Sequence, residues 1–400
     1  MTSQPASRQR DVPAATARAG ITIRPVTSRD DLARFIRFPW RIYANDPVWV
    51  PPLIADVKLV LDPERHPFHQ HAEVQLFLAW RDGEVAGRIA AILNHTHNQF
   101  HDETTNFFGL FESLNEQAVA DALLHTVEVW AHDRGMTTLR GPMNLSTNDE
   151  LVGPGVLVDG FDTPPVLMMG HTPSWYAALL EGAGYAKAMD LLAYWIPAVV
   201  QDRHVRFAAR VQKRMNVRFQ SLDMKRFEED VALVQGIYNS AWEKNWAFVP
   251  MSDAEIRHLA KQLKPVIKPD FCVLAFVDDE PVGFGLMLPD YNRILRRLNG
   301  RLFPFGFIKL LWLRRNIDSV RILTLGLKPA WRHRGLDALL IHQLIVNGLE
   351  QGIRYGECSW ILEDNVGMRR GIENAGGRLY KTYRVFEKSL DPETSARGSR

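Results

Sequence analysis

One order of elements, read twice along the chain, constrains the fold more tightly than any composition does. The first reading opens with the strand ITIRPV from Ile21 and a helix from about Asp30. The alternating run AEVQLFLAW then turns at Asp82-Gly83 into EVAGRIAAIL, the pattern of a β-hairpin. A short apolar strand (NFFGLF) follows. A helix from Gln117 to Arg134 carries Val119, Ala122, Leu123, Val127 and Trp130 at apolar positions, and TLRGP near Thr138 is the next strand. Beyond a Gly/Pro-rich loop, VLMM reads as a strand, SWYAALLEGAG as a helix closed by glycine, and MDLLAYWI as a last strand. The second reading runs from NVRFQSLDM (Asn216 to Met224) through helices to the hairpin FCVLAFVDDEPVGFGLML, with Asp278-Asp279 at its tip. VRILTLGL is a strand, Leu336 to Gln351 a helix, YGECSWIL a strand, Gly367 to Asn374 a helix closed by Gly376-Gly377, and RLYKTYRVFEK the final strand. Architecture repeats here, not residues. It predicts an α+β chain, a mixed α/β sheet flanked by helices, in two units joined near Pro197 to Val211.

The length of 400 residues suits two such units. The expected division is 20–198 and 199–390; residues 1–19 and 391–400 are too polar to repay the entropy of ordering. With 48 Lys+Arg against 46 Asp+Glu the charge is +2, which argues against a dedicated nucleic-acid binder. An apolar fraction of 46% fills a globular core, yet Lys or Arg interrupts every long apolar stretch before it could span a bilayer. Cys272 and Cys358 are too few for a disulfide framework or a cysteine zinc site. No apolar signal segment opens the chain, so a reducing cytoplasm is expected.

The most specific stretch is Thr324-Leu325-Gly326-Leu327-Lys328-Pro329-Ala330-Trp331-Arg332-His333-Arg334-Gly335-Leu336-Asp337-Ala338. A strand runs through a basic, glycine-containing loop straight into a long helix. Such a junction aims backbone N–H groups and the positive end of a helix at one point, with Arg332 and Arg334 adding charge; it suits a diphosphate. The opposing reading is a solvated, arginine-rich helix start.

That segment resembles the acyl-CoA-binding motif of the GNAT acyltransferase superfamily, Arg/Gln-x-x-Gly-x-Gly/Ala, in Arg332-His333-Arg334-Gly335-Leu336-Asp337 with Ala338 following. Asp337 stands where a small residue is usual. The superfamily's Asn after the next strand is matched by Asn365 in WILEDN, and its late aromatic by Tyr380 and Tyr383. The corresponding loop of the first unit, Phe111 to Glu116, is acidic and lacks glycine, so the whole chain resembles a tandem GNAT protein with a degenerate first unit. RGPMNLSTNDE, LVDGFDTPP, PWRIYANDPVWVPP, LNGRLFPFG and YGECSWILEDN are similar to a narrower bacterial group that includes the ceramide synthases, which N-acylate a sphingoid base with a fatty acyl-CoA.

The resemblance implies direct attack of an amine on the thioester of acyl-CoA, with no metal. The backbone of Leu325, Gly326 and Leu327 would polarise the thioester carbonyl, and Arg332, Arg334, Gly335, Leu336, Asp337 and Ala338, with Asn365, would hold the cofactor. An alkylammonium with a pKa of about 10.4 must first lose a proton, at ~4 kcal/mol near neutral pH. Glu363, where the strand ends, is the candidate base. Tyr383 is preferred as the acid that protonates the thiolate, with Tyr380 expected on the opposite strand face. Met368 and Arg369 occupy the helix where the family usually carries that tyrosine. Asp337 and this departure suggest the alternative of a non-catalytic tandem GNAT protein that binds acyl-CoA or membrane as a sensor or scaffold.

Between hairpin and diphosphate strand lies an insertion, Asp290 to Asp318. Drawn as one helix, it sets Tyr291, Ile294, Leu295, Leu298 and Leu302 on one face and Arg293, Arg296, Arg297 and Arg301 on the other, and FPFGFIKLLWLRR follows. This is the composition of an interfacial helix on an anionic bilayer, which would make the protein peripheral on the inner face of the cytoplasmic membrane. His66, His69, His71, His95 and His97 lack the helical spacing of a metal site, and His97-x4-Asp102 is a chance-level match to the glycerolipid acyltransferase spacing.

Overall fold

The computed structural model describes residues 20–148, 152–200, 202–303 and 306–391, so the polar ends 1–19 and 392–400 lie outside the described residues. Thirteen strands form one sheet: β1 (Ile21–Pro25), β2 (Ala72–Arg81), β3 (Glu84–Asn94), β4 (Thr105–Ser113), β5 (Thr138–Gly141), β6 (Val156–Asp159), β7 (Ala186–Pro197), β8 (Val217–Ser221), β9 (Cys272–Val277), β10 (Glu280–Pro289), β11 (Ser319–Leu327), β12 (Tyr355–Leu362) and β13 (Arg378–Ser389). The expected repeat is present in space. Each half is an antiparallel meander followed by one parallel step, β4 to β5 and β11 to β12, and a helix covers each step: Gln117–His132 and Leu336–Glu350. Both hairpin tips hold two residues in the left-handed region, Asp82 and Gly83 in one and Asp278 and Asp279 in the other, which matches the twist of the flanking strands.

The division at 198/199 separates the halves in sequence but not in the sheet. Strand order is β1-β2-β3-β4-β5-β13-β7-β12-β11-β10-β9-β8, with β6 beside β13. The last strand of each half therefore completes the sheet of the other: β13 pairs β5 while β7 pairs β12, and the two lie side by side at the centre. One apolar cluster accordingly runs through both halves, from Phe35 and Phe107 to Ala247, Leu362, Tyr383 and Val385.

Two expected elements differ. VLMM is a turn, with Met168 at φ 64°, and the strand of this region is β6, starting at Val156. Pro164 and Pro165 just before VLMM offer no N–H to a ladder. The insertion is not one long helix: it runs Asn292–Leu298, stops where Asn299 and Gly300 turn left-handed, and resumes at Gly306–Leu313.

Candidate active site

The two parallel steps part after a few residues, and the halves treat the resulting gaps differently. β11 pairs β12 only from Ser319↔Tyr355 to Ile322↔Cys358. β11 also bulges at Leu323, between the Met287↔Ile322 and Leu286↔Thr324 pairs, so from there to Leu327 its edge toward β12 has no strand beside it. The middle of β11 is correspondingly half-buried, and the Thr324 hydroxyl is buried without a hydrogen-bond partner. In the first half β4 pairs β5 only through Phe107↔Arg140, but the gap is filled. The Asn144 carboxamide accepts the Leu110 N–H at 2.8 Å and donates to Gly153 at 2.9 Å, while Met143 N–H reaches Phe108 at 2.7 Å. Chain from the second half packs over it: Ala247 and Val249 carbonyls accept from Thr147 and Asn148 at 3.2 and 3.0 Å.

Leu325 to Leu327 lie on the open edge of the second half, and the loop and helix start that carry Arg332 to Ala338 follow directly from it. After Leu327 the chain makes a short turn at Pro329–Trp331, takes His333 and Gly335 left-handed (φ 60° and 83°), and enters the helix at Leu336. Gly335 is itself the N-cap and no side chain caps this helix, so its first-turn N–H groups have no side-chain partner. Arg332 braces the loop, donating to the carbonyls of Leu327 (3.3 Å) and Ala241. Arg334 is exposed, its guanidinium 5.0 Å from the Trp331 ring centroid. Asp337 is exposed in the first turn, Ala338 is half-buried and Leu336 is buried. Trp242 lies on the backbone of Gly326, where any Cβ would collide with the indole. Asn365 caps the helix Val366–Asn374, accepting the Met368 N–H at 3.2 Å.

The expected acid and base residues separate. Glu363 is held outside the gap by Lys187 Nζ at 2.6 Å and the Asp190 N–H at 3.1 Å. Tyr380 and Tyr383 do not lie on opposite faces. Tyr380 is the extra residue of a bulge, between the Leu379↔Tyr194 and Lys381↔Ala193 pairs, and a bulge resets the alternation, so both tyrosines pack into the same cluster. Tyr383 donates to the Gly170 carbonyl at 3.1 Å and Tyr380 to Glu357 Oε1 at 3.1 Å.

Glu357 belongs to a buried polar cluster where β11 and β12 part. Ser359 Oγ donates to Glu357 Oε2 at 2.7 Å, and Arg321 donates from Nε to Ser359 Oγ at 3.1 Å and from Nη2 to the Ser359 carbonyl at 3.2 Å. Burial raises the Glu357 carboxyl to about 7, against the lowering by Arg321, Ser359 and Tyr380. Asp290, raised by burial to about 6, accepts the Leu167 N–H at 3.0 Å, and Arg321 Nη1 holds the Leu167 carbonyl at 3.2 Å. Lys381, fully buried and lowered by desolvation to about 8, donates to the carbonyls of Gly160 and Thr163. A strap of the first half, Gly160 to Leu167, is thus tied to the second. Arg321, Glu357 and Ser359 went unnoticed in the sequence although a signal was present: charged and hydroxyl residues at inward positions of otherwise apolar strands.

No protein-family model matches the chain. It is 38% identical over 392 residues to the bacterial ceramide synthase of Caulobacter vibrioides, covering 95% of this chain and 100% of that protein. Protein YghO of Escherichia coli is 34% identical over 379 residues, covering 92% and 95%. The chain belongs to the bacterial ceramide synthase family. Among solved structures, a tandem GNAT protein from the clavulanic acid biosynthesis pathway superposes with a TM-score of 0.55 at 13% identity, over 93% of this chain and 99% of that one. A GCN5-related N-acetyltransferase from Sphaerobacter thermophilus gives 0.51 at 16% identity, over 94% and 98%. The tandem GNAT fold expected from the Arg332–Ala338 motif is therefore present, and this member of the family is an N-acyltransferase.

Proposed function

We propose that the chain transfers a long-chain fatty acyl group from acyl-CoA to the amine of an amphiphilic acceptor of the sphingoid-base type. The observation that carries the reading is the asymmetry of the two halves: the open β11 edge leads into a helix start that no side chain caps and an exposed arginine, whereas the first half's gap is filled by its own Asn144. Acyl-CoA is the co-substrate, its diphosphate at Arg334, Gly335 and the start of Leu336–Glu350, its thioester along Leu323 to Leu327, with the unpartnered Thr324 hydroxyl as a further donor. Similarity to a protein named bacterial ceramide synthase supports the acceptor class. Long-chain acyl-CoA incubated with sphinganine is expected to release free CoA thiol; no thiol release across a panel of long-chain and polar amines would overturn the enzyme reading.

An amphiphilic acceptor also gives the insertion a use, and we infer contact with the cytoplasmic face of an anionic membrane. Phe303, Trp312 and Ile308 are 86%, 72% and 63% exposed, with Arg297, Arg301, Lys309, Arg314 and Arg315 around them, whereas Ile294 and Leu298 are buried against the protein. Among the described residues no helix is long and apolar enough to cross a membrane. Co-sedimentation with phosphatidylglycerol-containing vesicles is expected, and Trp312→Ser with Phe303→Ser should weaken it about tenfold or more, since each removes an aromatic side chain from the interface.

A further inference from the structure

Glu357, Ser359 and Arg321 form a hydrogen-bonded chain at the gap where β11 and β12 part. Cys358 is the last β12 residue paired with β11, so Ser359 is the first to border the gap, and Arg321, one position before the last paired β11 residue, spans it. Ser359 Oγ accepts from Arg321 and donates to Glu357, which leaves one lone pair for a third partner. Tyr380 Oη holds the second carboxylate oxygen; Arg321 and Lys381 favour its charge, Asp290 opposes it, and the Tyr383 hydroxyl and Cys358 thiol also face it. A carboxylate wholly out of water with a relay hydroxyl at a strand opening is more than a fold needs, because an apolar side chain of similar volume would serve packing as well.

We propose that Ser359 receives the proton of the acceptor amine and that Glu357 is its sink. The proposal rests on the N-acyltransferase reading above and deepens it. The ammonium proton passes to Ser359 Oγ as the Ser359 hydroxyl proton passes to Glu357 Oε2. The freed nitrogen lone pair forms the N–C bond, the C–S bond breaks, and the second surplus proton on nitrogen goes to the thiolate sulfur; Glu357 then returns its proton to solvent. Ser359 is the catalytic residue in this scheme. Glu357 and Tyr380 act through it as positioning residues, and Glu363, held by Lys187, takes no part.

The test is the pH dependence of CoA release from a long-chain acyl-CoA and sphinganine. The wild type should lose kcat/KM as pH falls through about 7, where Glu357 protonates. Glu357→Gln should remove that limb and lower kcat about 10²-fold or more, Ser359→Ala should lower kcat similarly, and Glu363→Gln should leave both unchanged. Tyr380→Phe removes a hydrogen bond that lowers the Glu357 carboxyl, so its limb should move to higher pH, a readout independent of whether Glu357→Gln folds. An active wild type with an unmoved limb in Tyr380→Phe and unchanged kcat in Ser359→Ala overturns the relay. A wild type that releases no thiol with any amine overturns the enzyme reading instead.

Discussion

Two arginines two positions apart in the basic loop after β11 have different surroundings, and one substitution each separates them. Arg332 is spent on the carbonyls of Leu327 and Ala241, whereas Arg334 is exposed with only the Trp331 ring beneath it. Arg334→Glu should weaken CoA binding in calorimetry by about tenfold or more while the melting temperature stays put, since a charge-assisted contact is worth roughly 1.5–3 kcal/mol. Arg332→Ala should instead lower stability by about 1 kcal/mol, through two carbonyls left without their donor. Glu357 leaves a mark on stability too. Its folded carboxyl is raised to about 7, above the unfolded value, so its contribution is complete at low pH and is lost as pH rises through 7. Glu357→Gln should therefore flatten the fall in thermal stability between pH 5 and 8 relative to the wild type. The basic loop was legible at this scale because a run of charged residues after an apolar strand is unusual. The surroundings of Glu363 and Glu357 were not legible in the sequence, because which carboxylate meets a lysine depends on β7, a strand of the other half, lying beside β12.

At the scale of the element, β11 shapes the candidate site through its irregularity. The bulge at Leu323 and the bare edge to Leu327 are held in place by Trp242 packed on Gly326. Gly326→Ala must displace the indole or the strand, and overpacking of this kind typically costs about 1–3 kcal/mol. Urea unfolding should register that loss, and acyl-CoA binding should fall with it. Hairpins and the helices between strands were readable from the residues, since alternation and glycine closure report local geometry directly. Bulges were not. An extra residue at Leu323 or Tyr380 leaves no mark in an apolar pattern, and the second of them moved Tyr380 to the face of Tyr383. The insertion misled for a similar reason: its helical periodicity runs on past Asn299-Gly300, where the backbone turns left-handed.

For the whole molecule, two sequence repeats do not amount to two independent bodies. Because β7 and β13 are exchanged and one apolar cluster crosses between the halves, thermal unfolding should give a single transition with calorimetric and van't Hoff enthalpies in agreement. Two separated transitions would mean that the exchanged strands contribute little to cohesion. The repeat of architecture was legible in the sequence, but the exchange was not: a final strand looks the same whether it returns to its own half or crosses to the other.

That exchange also sets a timetable for synthesis. The first half emerges from the ribosome with β5 lacking its neighbour, and the missing strand is the last one in the described chain. Folding from the N-terminus, the usual order for multidomain chains, can run no further than an open-edged intermediate until β13 arrives. The closing strand is also the one that carries Tyr380 to Glu357, so its late arrival both seals the sheet and completes the candidate site.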